Sequence, residues 1–92
     1  MAAIKFALIQ SGHCVFGTGH TYRGALLDAG NWLEHDEHGR YTPQRIENEL
    51  IKPRGQRVDG DFYVIENDEE EFNSYMKNQG GFIKRGENWY SK

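Results

Sequence analysis

Ile4, Phe6 and Leu8 alternate with Lys5, Ala7 and Ile9 at the start of the chain, a period of two that predicts a β-strand with at least one buried face. The turn residues of "QSGH" and the short run "CVF" follow, so residues 3–17 read as a β-hairpin turned at Gly12, with Cys14 and Phe16 packing its second strand. From Tyr22 the period changes. Tyr22, Ala25, Leu26, Ala29, Trp32 and Leu33 fall on one side of a helix of about 13 residues, with Thr21 as its N-cap. Gly24 and Gly30 each cost that helix up to about 1 kcal/mol relative to Ala, a loss that burial of Trp32 and Leu33 against a sheet is expected to offset.

A second helix is predicted in "YTPQRIENELI", with Thr42 as N-cap, Pro43 at the first helical position, and Ile46, Leu50 and Ile51 as its apolar side. "KPRGQRVDGD" reads as a loop and "DFYVIE" as the clearest strand. In "NDEEEF", Asp68 and Glu71 have capping-box spacing and glutamates fill the positively polarised first turn of a third helix. Phe72, Tyr75, Met76 and Gln79 continue it, and Gly80-Gly81 end it. "GFIKRGENWYSK" closes the chain as one strand, or as two about an Arg85-Gly86-Glu87-Asn88 turn. The order ββααβαβ, with one further strand if the last segment divides, predicts one α+β domain over residues 1–92. Its sheet is expected to be mostly antiparallel and covered on one face by helices.

Ninety-two residues leave no room for separate cofactor and substrate domains, and 13% aromatic content supplies much of the apolar area of one thin core. The lone cysteine, Cys14, excludes an internal disulfide and fits a reducing cytosol. "MAAIKFALIQS" is too short and too broken by Lys5 for a signal or membrane segment, so no membrane association is expected.

The net charge of −3 is unevenly spread: +1 over residues 1–33, −3 over 34–51, +3 over 52–57, −7 over 58–71 and +3 over 72–92. Two basic islands flank an acidic block, which gives a dipolar chain able to meet a charged partner with either face.

Three chemistries compete in "GHCVFGTGHTYRGALLDAGNWL". Zinc would draw on His13, Cys14, His20, His35 and His38, but no paired CxxC or HExxH spacing holds these ligands together, and no metal is expected. A thiol enzyme would need Cys14 as a thiolate beside a His base, whereas its setting before Val-Phe suits a small packed residue. "GTGH" before a helix resembles a phosphate cradle, yet it is shorter than both the Walker and dinucleotide motifs. Gly17 and Gly19 are expected instead to let the chain turn the corner into the helix. No catalytic group and no cofactor is expected.

Binding is the more open chemistry. Lys52, Arg54 and Arg57 lie on one predicted loop, while Lys84 and Arg85 lie near Phe82, Trp89 and Tyr90. These cations can pair phosphates and the aromatics can stack on bases, although a pI of about 5.7 is acidic for a stand-alone nucleic-acid binder. Contact with RNA inside a larger assembly tolerates an acidic remainder better.

The succession "KFALIQSG", "CVFGTG", "TYRGALLDAGNWLE" and "DGDFYVIE" resembles the small single-domain proteins of phages and mobile elements. Within that group it is most similar in length, style and element order to the phage anti-CRISPR proteins that inhibit type I surveillance complexes. The resemblance implies a non-catalytic inhibitor, a monomer in the host cytoplasm. Such an inhibitor binds Cas subunits with their guide RNA and blocks target DNA. It transfers no residue position, so the contact residues remain those of the physical reading: Lys52, Arg54, Arg57, Lys84 and Arg85 as charges, Trp89 or Tyr90 as apolar anchor. The alternative is a small RNA- or DNA-binding accessory protein.

Overall fold

In the computed structural model, which describes residues 3–52 and 58–92, strand β1 (Phe6–Gln10) is the middle of a three-stranded antiparallel sheet. It lies between β2 (Cys14–Gly19) and β3 (Phe62–Glu66), with Leu8 opposite both Gly17 and Val64. The register slips between Leu8 and Ile9, leaving Phe16 as the extra residue of a β-bulge in β2. Ala7, Leu8 and Ile9 are all fully buried. A strand apolar on both sides needs cover on both sides.

That cover is two-sided, which corrects the expectation of helices on a single face. On one face, α1 (Tyr22–Trp32) and the helical turn that follows the short α2 (Pro43–Arg45) close over Leu8, with Leu26, Ala29 and Ile46 buried beside it. On the other, α3 (Glu70–Gln79) and a separate hairpin, β4 (Phe82–Arg85) and β5 (Asn88–Ser91), bury Phe72, Met76 and Trp89 against Ala7, Ile9, Tyr63 and Ile65. The domain is α+β, and the last segment forms two strands turned at Gly86, where φ is 63°. An isolated bridge from Ile4 to Trp89, with the Ile4 N–H donating to the Trp89 carbonyl at 2.8 Å, ties this hairpin to the chain just before β1.

Thr21 caps α1 as the sequence predicts, its Oγ1 accepting from the Gly24 N–H at 2.9 Å. The small side chains at Ala25 and Ala29 let this helix lie directly on β2. A Cβ on Gly17 would sit 2.4 Å from the Ala29 nitrogen, and one on Gly19 would sit 2.4 Å from the Ala25 nitrogen. These glycines therefore serve close helix–strand approach rather than the corner expected of them. Trp32, expected in the buried stripe, is 70% exposed. A contact closed to the width of glycine and alanine has no space for an indole, so Trp32 stands beside the open edge of β2 while Leu33 turns inward.

Thr42 and Pro43 start α2 as expected, the Thr42 Oγ1 accepting from the Arg45 N–H at 3.3 Å. The helix then widens into a π-helical turn, Ile46–Leu50, closed by the Ile51 N–H donating to the Ile46 carbonyl at 3.1 Å. Arg45 holds the preceding loop. Its guanidinium pairs with Asp36 at 2.6 Å and Glu49 at 2.8 Å, donates to the Gly39 and Arg40 carbonyls, and lies 4.3 Å from the Tyr41 ring centre.

The capping box expected at Asp68 and Glu71 does not form. The N-cap of α3 is Glu69, without a side-chain cap bond. Glu71 accepts from the Tyr63 hydroxyl at 2.9 Å instead. At the other end Gly80 takes the left-handed cap conformation, φ 72°.

Candidate binding face of the terminal hairpin

Side chains directly opposite across an antiparallel pair share a face, so the β4–β5 register sorts the sequence candidates. Lys84 pairs with Trp89 and Phe82 with Ser91, whereas Ile83 pairs with Tyr90 and Arg85 with Asn88. Trp89 points into the core. It is 7% exposed, and its indole N–H donates to the Asn73 Oδ1 at 2.8 Å. This corrects its assignment as an apolar anchor for a partner, because an indole already packed and hydrogen-bonded inside the domain has no face left to offer.

Arg85 and Tyr90, by contrast, come together on the outward face. They line a depression of about 440 Å³ with Ile83, Ser91 and Lys92. Lys92 is held at one end by its N–H donating to the Gly81 carbonyl at 3.1 Å. At the other end the Lys5 ammonium donates to the Asn88 Oδ1 at 2.8 Å, adding a third cation next to Arg85's cross-strand partner. The face thus has an apolar floor, Ile83 and the Tyr90 ring, bracketed by positive charge. Glu87, in the turn, is the acid of this hairpin.

The other basic candidates lie elsewhere. Lys52 is exposed and sits beside β3, its backbone N–H donating to the Phe62 carbonyl at 2.9 Å, and it does not line the hairpin depression. Arg54 and Arg57 lie outside the described residues. Lys84 is exposed on the face that carries Trp89, away from Tyr90. Sequence reading missed Lys5, Ile83 and Lys92. Strict alternation outward from the Arg85–Asn88 turn would have placed Ile83 with Tyr90, while Lys5 arrives from the far end of the chain and leaves no local signal.

The Gly12–Leu33 stretch offers less chemistry than its composition suggests. Burial pushes the Cys14 thiol above its ordinary pKa and so keeps it protonated. The His13 ring faces Asp59 at 3.6 Å. In the "GTGH" corner the Thr18 N–H is already taken by the Asp28 Oδ2 at 2.9 Å, a carboxylate where a phosphate would need to sit. Among the described residues no group of three or more His, Cys, Asp or Glu is arranged to hold a metal ion.

No protein-family model, no curated protein and no solved structure matches the chain.

Proposed function

We propose that this chain is a non-catalytic inhibitor that binds a type I CRISPR-Cas surveillance complex, Cas subunits with guide RNA, and blocks target DNA by steric and electrostatic occlusion. The observation that supports a binding role is the outward face of β4–β5, where Arg85 and Lys92 flank Ile83 and Tyr90. Aromatic and arginine side chains on one rigid surface are the usual energetic centre of a protein or nucleic-acid contact. The named target comes from the resemblance to phage anti-CRISPR proteins, and it carries with it a monomer acting in the host cytoplasm without a cofactor. No helix among the described residues is long and apolar enough to cross a membrane. The second reading, an RNA- or DNA-binding accessory protein, draws on the same cation-and-ring arrangement.

A purified type I complex and labelled target DNA provide the test. Excess protein is expected to co-purify with the complex and abolish its DNA binding, and Arg85→Glu together with Lys92→Glu is expected to restore it. Undiminished DNA binding at saturating protein overturns the reading. Recovery of nucleic acid alone, with no Cas subunit, moves the assignment to the accessory protein.

A further inference from the structure

We infer that the outward face of the terminal hairpin takes single-stranded RNA, a base lying on the Tyr90 ring and neighbouring phosphates meeting Arg85 and Lys92. The inference rests on the binding reading above and names the component of the complex that the chain touches.

The spacing carries the argument. Arg85 stands opposite Asn88, and Lys92 follows Asn88 by four residues, so the two cations are offset by about 13 Å along the strand direction. Ile83 and Tyr90 face each other between them. An anion alone, such as an acidic peptide segment, would satisfy the cations and leave the half-buried Tyr90 ring and Ile83 in water. A polynucleotide strand alternates charged phosphates with flat bases, and so meets cation, ring and cation in turn. It must be single-stranded, because the bases of a duplex are already stacked on each other and would present only backbone to this face. The Asn88 amide, on the same face as Arg85 and beside Lys5, supplies a polar group that a ribose 2′-hydroxyl can use.

The full chain, titrated by fluorescence anisotropy against a short labelled oligouridylate at low salt, tests this. Binding is expected, weakening with salt at a logarithmic slope of about −1.4 for two phosphate contacts on a single strand. Tyr90→Ala, and separately Arg85→Glu, are each expected to lower the affinity about tenfold, while Tyr90→Phe keeps it because the ring and not the hydroxyl does the stacking. Circular dichroism and melting of each variant show that the fold persists, and Arg85→Glu serves if Tyr90→Ala unfolds. Absence of oligouridylate binding overturns the inference, as does equal binding to an RNA duplex, preference for oligothymidylate, or an unchanged affinity in both Tyr90→Ala and Arg85→Glu. Inhibition of the surveillance complex without oligouridylate binding removes this inference and leaves the proposed function. Oligouridylate binding without inhibition does the reverse.

Discussion

The backbone of Gly17 lies so close to Ala29 that a methyl group added to the glycine would stand 2.4 Å from the Ala29 nitrogen. The two nearest obstructing atoms, the Ala25 carbonyl oxygen and the Ala29 nitrogen, belong to helix backbone and cannot swing aside as a long side chain would. Gly17→Ala must therefore lift α1 off β2, an overpacking expected to cost about 1–3 kcal/mol. In a domain of this size each kcal/mol lowers the melting temperature by about 4–8 °C. Thermal unfolding followed by circular dichroism checks it, and an undiminished melting temperature would contradict the close approach.

Two adjacent glycines should respond oppositely to the same substitution. Gly80 caps α3 at φ 72°, where an alanine side chain is strained, whereas Gly81 has no positive φ and open space around the position of a Cβ. Gly80→Ala is expected to destabilise by about 1 kcal/mol. Gly81→Ala should be neutral, or stabilise by about 0.4–1 kcal/mol through the reduced freedom of the unfolded chain. Urea midpoints of the two variants, measured side by side, decide this.

The two tryptophans make a third contrast. Trp89 is 7% exposed and hydrogen-bonded to Asn73, while Trp32 is 70% exposed. Trp89→Ala is expected to cost about 3–5 kcal/mol, and Trp32→Phe less than about 0.5 kcal/mol. Acrylamide should quench the red-shifted part of the emission, and Trp32→Phe should remove that part. Emission left unchanged by Trp32→Phe would mean that Trp32 is covered.

Much of the fold was legible because its signals are local. A Thr cap, a Pro at the first helical position and a left-handed Gly act within one turn, so Thr21, Thr42, Pro43 and Gly80 behave as read. Signals that depend on distant neighbours were not legible. Asp68 and Glu71 have capping-box spacing, but Tyr63, a strand away in sequence, recruits the Glu71 carboxylate. Trp32 continues the helical stripe, yet the glycines of β2 bring α1 too close for it to follow. The candidate site divides in the same way. Arg85 and Tyr90 are close in sequence and share a face, Trp89 is turned inward by strand alternation, and Lys5 joins through a hydrogen bond to Asn88.

Arg45 gives a prediction in pH. Its hydrogen bond to Asp36 holds that carboxyl at about 2, below the ordinary 3.8, and its separate hydrogen bonds to Glu49 lower that carboxyl as well. A carboxylate whose pKa is depressed by folding stabilises the native state above its unfolded value, and that contribution fades as pH falls through the folded value. Stability from the Asp36 pair should therefore be intact above pH 4 and decline between about pH 4 and pH 2, as the unfolded chain takes up protons that the folded chain resists. In Arg45→Gln the carboxyls lose their charged partner, so the melting temperature should start lower at neutral pH and fall less steeply in acid. The same substitution frees the loop that Arg45 holds through the Gly39 and Arg40 carbonyls, so amide exchange at residues 36–40 should accelerate while that of β1 stays slow. Parallel acid slopes for parent and variant would show that the Asp36 pair contributes nothing to the pH dependence, leaving Arg45 with only its packing on Tyr41 and its bonds to the loop carbonyls.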